Sequence, residues 1–284
     1  MIKHFFLLLL LVFGSPLFAM EFTTIGELGN FFFDIKDKEA IGGGTFNGTY
    51  TPSGKIEISD SLGDTFRFTV ALARDSVLRN SFGGEVEIGT TNFIFSVGPF
   101  LGLFNSSDYL KPGISGSMQL VFPGVVFVRI GAAATLPGVS GTGDYETLST
   151  GAAVGFWLPN LVNTISFTTK KFSIQETRDR YTEDALYRAQ YRGAVHSKSN
   201  AYIVAITTGF QMLKRRYENT SSADTDEMRS FFMGFDTEIV IKPLFTLLLG
   251  VEAPLYSWGN APLERKDGAM FFSASAGFRY VFAD

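Results

Sequence analysis

The sequence predicts an all-β protein, an antiparallel transmembrane β-barrel of about fourteen strands, and three observations carry that prediction. Apolar and mixed residues alternate with period two along most of the chain. The connections between these stretches alternate between short and long. Hydrophobicity is abundant but divided into pieces too short for membrane helices.

The chain opens MIKHFFLLLLLVFGSPLFA. Lys3 supplies a positive start, Phe5 to Phe13 form a short apolar core, Ser15 and Pro16 break it, and Ala19 offers a cleavage site. Residues 1–19 are therefore expected to be a secretory signal peptide, leaving 20–284 as one barrel domain of 265 residues (284 − 19). Net charge is −4, and loss of Lys3 makes the mature part −5. No basic stripe exists to attract nucleic acid. The chain has no cysteine, which excludes thiol catalysis and cysteinyl metal sites. Thirty Phe and thirty Gly with only 18% charged residues is an unusual balance for a soluble enzyme. Yet the longest apolar run of the mature part, Leu244 to Val251, is interrupted by Thr246, and a membrane helix needs about 20 apolar residues.

Fourteen alternating segments can be placed, at 21–35, 46–59, 65–75, 82–89, 92–104, 113–122, 125–136, 147–158, 161–175, 185–196, 201–217, 229–241, 244–257 and 268–282. The last is the clearest. Met270, Phe272, Ala274, Ala276, Phe278, Tyr280 and Phe282 share one face, and Ser273, Ser275, Gly277 and Arg279 the other. Phe66, Phe68, Val70 and Leu72 stand in the same way against Arg67, Thr69 and Ala71. Glu27, Pro52 and Gly54 disturb the first two segments, the pair around 185–217 alternates less cleanly as well, and twelve strands is the alternative count.

Short connections fall at 60–64, 90–91, 123–124, 159–160, 197–200 and 242–243. Longer polar ones fall between them, at 36–45, 76–81, 105–112, 137–146, 176–184, 218–228 and 258–267. A membrane barrel predicts this alternation, whereas a soluble sandwich has no reason for it. Alternation alone does not say which face meets lipid. The apolar faces carry aromatic residues beside the short turns, namely Phe66, Phe93, Phe122, Phe156, Phe245, Tyr280 and Phe282, as an aromatic girdle would. The opposite faces hold Gly, Ala, Ser and Thr with scattered charge, which suits a lumen lining. By parity that lining includes Arg67, Arg129, Lys170, Arg188, Arg192 and Arg279 against Glu85, Glu87, Asp236, Glu238 and Glu252. Phe232, Leu248 and Phe271 fall on the same parity and could narrow the lumen.

The final strand, alternating and aromatic up to Phe282, resembles the terminal strand of bacterial outer-membrane β-barrel proteins, with Ala283 and Asp284 following where the aromatic is usually last. The whole chain resembles compact monomeric porins in architecture. That resemblance implies an outer-membrane location after secretion through the inner membrane, short turns on the periplasmic side, longer loops outside, and recognition of the last strand by the barrel-assembly machinery. It also implies outer-membrane lipid and small solutes as partners.

Candidates for other chemistry are few. Barrel proteases and phospholipases use a paired histidine, and the mature chain has only His196, beside a short turn and flanked by Ser197 and Ser199. Glu85 with Glu87, and Asp236 with Glu238, could share a cation at i, i+2 spacing, but charge lining a channel explains them as well. Gly42 to Gly44 lack the strand–loop–helix setting of a phosphate loop. Asn47, Asn105 and Asn219 begin Asn-X-Ser/Thr triplets, which carry little meaning in a bacterial protein. The charged stretch Glu176 to Arg192 and the segment Asp224 to Arg229 read as external loops continuing into strands, and as contact surfaces if they have a role. No catalytic residue, cofactor or metal site is assigned. The first strand begins close after Ala19, so neither a hatch nor a plug domain is expected before it, and no passenger domain is expected. The function expected is passive diffusion of small solutes or ions with weak charge selectivity. The alternatives are a structural or surface-interaction barrel, such as an adhesin or receptor, and, further off, a hydrophobic-compound transporter or a barrel enzyme.

Overall fold

In the computed structural model, residues 20–30, 51–104, 109–137, 144–177, 179–199, 201–219, 223–260 and 271–282 are described. The expected signal peptide at 1–19, the Gly42–Gly44 stretch, Asn47 and Asn105 lie outside them. Fourteen strands follow one another: β1 (Glu21–Gly29), β2 (Thr51–Leu62), β3 (Phe66–Asp75), β4 (Arg79–Gly89), β5 (Phe93–Phe104), β6 (Tyr109–Phe122), β7 (Val126–Thr135), β8 (Tyr145–Leu158), β9 (Leu161–Thr177), β10 (Arg180–His196), β11 (Tyr202–Asn219), β12 (Ala223–Lys242), β13 (Phe245–Gly259) and β14 (Ser273–Val281). Each pairs antiparallel with the next, and β14 pairs with β1 from Glu21↔Val281 to Gly29↔Ser273, which closes the barrel. Every segment expected from alternation overlaps one strand, in order, and the disturbed pair at the start are strands too.

The exposure pattern decides the polarity of the wall. Along β3, Phe66, Phe68, Val70 and Leu72 are exposed while Arg67, Thr69, Ala71 and Ala73 are half-buried. β5 repeats this with Phe93, Phe95 and Val97 outside. Ile206 and Phe210 on β11 and Phe235 on β12 retain 55%, 57% and 46% exposure, so the outer surface is a continuous apolar band. A patch of that extent is not tolerated in water, and a bilayer is the solvent that fits it.

Tight turns close one end. Gly124, between β6 and β7, and Asn160, between β8 and β9, have φ of 73° and 60°, the left-handed conformation that glycine and asparagine tolerate. At the β4–β5 turn, Thr90 N–H donates to Phe93 O at 2.7 Å and Phe93 N–H donates to Thr90 Oγ1 at 3.2 Å. Both chain ends of the barrel, Glu21 and Val281, lie at this end.

The opposite rim is uneven. β1 and β14 have 9 residues each, whereas β11 has 18 and β12 has 20. The segments 176–184 and 218–228, expected as loops, are mostly strand: β9 runs to Thr177, β10 starts at Arg180, and β12 starts at Ala223. Outward residues in and beside these segments explain the misreading. Lys171, Glu183, Lys214, Arg216, Glu227 and Arg229 face outward above the apolar band, and Lys171–Glu183, Arg216–Glu218 and Arg229–Glu227 form ion pairs there. Such composition resembles a loop because the strands have left the lipid.

A bulge on β13, where Phe231 pairs with Tyr256 and Phe232 with Pro254, reverses the parity of its last residues. Tyr256 and Trp258 therefore face outward beside Phe210 and Phe231, with ring centroids 5.1 Å apart for Phe210–Phe231 and 5.6 Å for Tyr256–Trp258. From Phe245 to Tyr256 the strand runs about 36 Å, or about 28 Å along the barrel axis at a tilt of about 40°, close to the apolar height of an outer-membrane barrel.

We expect Phe95→Arg and Leu249→Arg, which place a charge in the band, to lower barrel stability by about 2–4 kcal/mol. Thr69→Arg and Ser149→Arg, on the inner face, should have much smaller effects. The heat-induced shift in gel mobility of purified variants checks this; equal sensitivity at both parities would show that the faces are reversed.

Candidate pore

All eleven residues expected to line the lumen lie on inward-facing parities, and the structure divides them into two groups. The first is ion-paired, mostly across the β9–β14 side. Arg188 on β10 reaches Glu252 on β13, with Nη1 3.0 Å from Oε1 and a second contact through Nη2, while its guanidinium lies 3.9 Å over the Phe232 ring. Arg192 Nη2 lies 2.5 Å from Asp236 Oδ1 on β12. These side chains cross intervening strands, β11 and β12 for Arg188 and β11 for Arg192. Arg279 bridges Glu238 at 3.4 Å and Glu21 at 3.5 Å, and Arg67 meets Glu21 at 3.4 Å and Ser59 Oγ at 2.7 Å. Lys170 pairs with Asp75.

Glu85, Glu87 and Arg129 form the second group and make no ion pair with any described residue. They line a cavity of about 580 Å³ on the β2–β8 side, together with Lys55, Glu57 and Arg67. Its wall is thin because the inner face here is built of Ala71, Ala73, Gly83, Ser115, Ala133 and Ser149. A smaller cavity of about 200 Å³ lies against Glu27, Asp236, Glu252, Ser273 and Ser275 on the other side.

Reading the sequence missed Glu21, Glu27, Lys55 and Glu57, all inward. The signal was present: Glu21, Thr23, Ile25 and Glu27 alternate with Phe22, Thr24, Gly26 and Leu28, and Glu27 fits as a lining residue that accepts hydrogen bonds from Ser53 and Ser273. It also missed a second inward cluster, at the rim opposite the short turns. Val77, Phe104, Tyr145, Phe172, Leu186 and Leu213 are buried there, inside the barrel. Phe104 and Phe172, from β5 and β9, have centroids 5.0 Å apart. Arg79 on β4 places Nη2 2.7 Å from Asp184 Oδ2 on β10, and Arg215 on β11 grips the same carboxylate at 2.6 Å and 3.0 Å. Residues 76–81 had been expected to be an external loop. Of Phe232, Leu248 and Phe271, Phe232 is fully buried inside.

The seven expected girdle residues all lie on outward parities at the short-turn end. Phe66, Phe93, Phe122, Phe156 and Phe282 are exposed, Phe245 stacks on Phe278 at 5.6 Å, and Tyr280 meets Phe282 edge-on at 4.7 Å. Phe210, Phe231, Tyr256 and Trp258 form an aromatic patch at the other edge of the band, on β11–β13. His196 sits at the end of β10, where its backbone N–H donates to Asn160 O at 2.8 Å, and among the described residues no Ser, Asp or Glu side chain is hydrogen-bonded to its ring. Among the described residues no group of three His, Asp or Glu could hold a metal ion.

No protein-family model matches the sequence, and no curated protein sequence matches it. The fold is similar to that of an outer membrane channel from Pseudomonas putida F1, at 12% identity over 94% of this chain and 96% of that one, with a TM-score of 0.51. An anion-selective porin from Comamonas acidovorans aligns at 9% identity over 93% and 98% of the two chains, TM-score 0.41. An OmpT loop-deletion variant from Vibrio cholerae aligns at 9% over 93% and 99%, TM-score 0.45. The first likeness, nearly end to end, bears on the fold.

Removing one member of a half-buried pair leaves the other uncompensated, whereas removing both does not. Arg188→Met should therefore destabilise the barrel by about 2 kcal/mol, and Arg188→Met with Glu252→Gln should recover most of that loss. Urea unfolding from lipid bilayers measures it, and additive losses would show that the pair is not coupled.

Proposed function

We propose that this protein is an outer-membrane channel that passes small polar solutes and ions with weak charge selectivity. One observation carries the reading: a polar lumen cavity with uncompensated Glu85, Glu87 and Arg129, enclosed by a wall whose outside is apolar. Unpaired charge facing a cavity stays solvated, and a hydrated lumen through a bilayer is what diffusion requires. Most of the remaining lining charges neutralise one another in fixed pairs, and Glu27, held by Ser53 and Ser273, adds one further carboxylate. Selectivity is left to three carboxylates, Glu27, Glu85 and Glu87, and one guanidinium, Arg129, which favours cations weakly. The barrel offers β14 as its closing strand, the element that assembly machinery would read, and residues 1–19 would direct export.

A surface-interaction role draws on a different observation. The β9–β12 wall outreaches its neighbours and carries paired charges on its outward face. That wall could bear a contact surface without altering the lumen.

In planar bilayers the purified protein should give discrete conductance steps, and liposomes containing it should swell in small sugars. In a salt gradient the reversal potential should be slightly cation-selective. Glu85→Gln with Glu87→Gln should move it toward anions, and Arg129→Ala should move it further toward cations. Heat-modifiable protein that inserts but neither conducts nor swells liposomes would leave the interaction reading.

A further inference from the structure

The β3–β4 connection is Ser76, Val77 and Leu78, and it does not stand in solvent. Val77 is completely buried, in the apolar cluster contributed by β5 and β8–β12. Asp75 shapes the tip, accepting hydrogen bonds at Oδ1 from the N–H groups of Val77 at 2.8 Å and Leu78 at 3.0 Å, while Oδ2 pairs with Lys170 on β9. Four residues on, Arg79 donates to Ser76 O at 2.7 Å, lies 4.8 Å over the Phe172 ring, and pairs with Asp184 on β10.

β3 and β9 are six strands apart in a ring of fourteen, as are β4 and β10. With strands about 4.8 Å apart and tilted about 40°, a round fourteen-stranded barrel has a backbone diameter of about 28 Å. Side chains alone do not bridge that span, so the rim is pinched and the tip leans onto the opposite wall. The contact stores energy. Arg79 holds φ at 70°, which is strained for a residue with a Cβ, and its Nε is buried without a partner. Lys170 and Asp75 are each about a quarter exposed, so that pair is the accessible half of the contact.

We propose, building on the channel reading, that the β3–β4 tip is a gate, latched across the lumen by Asp75–Lys170 and Arg79–Asp184. Releasing the latch frees Val77 from the apolar cluster and widens the path beside Glu85 and Glu87. An apolar seal of the same volume would hold the rim shut without charges, whereas an ion-paired latch fails when one charge is changed.

Charge variants at Lys170, which is not a ligand of the buried Arg79–Asp184 pair, test the gate in the full barrel. The chain lacks cysteine, so Val77→Cys gives a single thiol that reports tip release by maleimide labelling. With Lys170 intact, labelling should be slow; Lys170→Glu should speed it by about tenfold or more and raise single-channel conductance by about twofold or more. Lys170→Gln should fall between. Adding Asp75→Asn to Lys170→Glu removes the repulsion and keeps the turn acceptor, and should bring both readings back toward those of Lys170→Gln. Equal labelling in all backgrounds overturns the latch. Faster labelling with unchanged conductance overturns the gate. Absence of conductance in every background, wild type included, removes the channel reading and the gate with it, and the wild-type trace separates that failure from failure of the gate alone.

Discussion

Backbone amides and carbonyls inside a bilayer must find partners within the protein, and the β1–β14 ladder is where this chain meets that requirement. Thirteen neighbouring pairings still leave two open edges. Nine registered pairs, from Glu21↔Val281 to Gly29↔Ser273, remove both. Closure fixes which parity of every strand faces in, because a slip of one residue anywhere would turn charges into lipid. It explains why β1, with Glu21 and Glu27, is a strand despite its charges: closure sends them inward.

Closure also inverts the usual distribution of polarity, and the lumen must then accommodate many charges in a confined space. On the β9–β14 side it does so by pairing. Arg188, Arg192 and Arg279 each meet a carboxylate two or three strands away. On the β2–β8 side the wall is built of small residues, and Glu85, Glu87 and Arg129 face a cavity instead of each other. A side of paired charges and a side open to a cavity thus follow from where side-chain volume is placed.

The rim opposite the short turns departs most from a plain cylinder. Strands of unequal length leave the β9–β12 wall standing above β3 and β4, and the short side bends toward the tall one. A buried carboxylate shared by two arginines, a strained backbone at Arg79 and an unpartnered Nε would be a poor way to stabilise a static plug. They suit a contact that must be both specific and breakable.

Period-two alternation is a property of neighbours along one strand, so the sequence by itself determined the strands, their order, the short turns and the facing of the seven aromatic and eleven charged residues. The strand ends above the lipid were misread as loops because their outward residues, such as Glu183 and Glu227, no longer contact an apolar medium. Only the tertiary structure decided which charges pair. Arg188 meets Glu252 across two intervening strands, and Arg79 meets Asp184 across five, distances set by barrel circumference and shear, to which local pattern is blind. Arg79 and Asp184 stood in stretches that read as external loops, and Asp75 and Arg215 near the ends of the segments 65–75 and 201–217. Their role appears only when the closed wall brings opposite sides of the rim together.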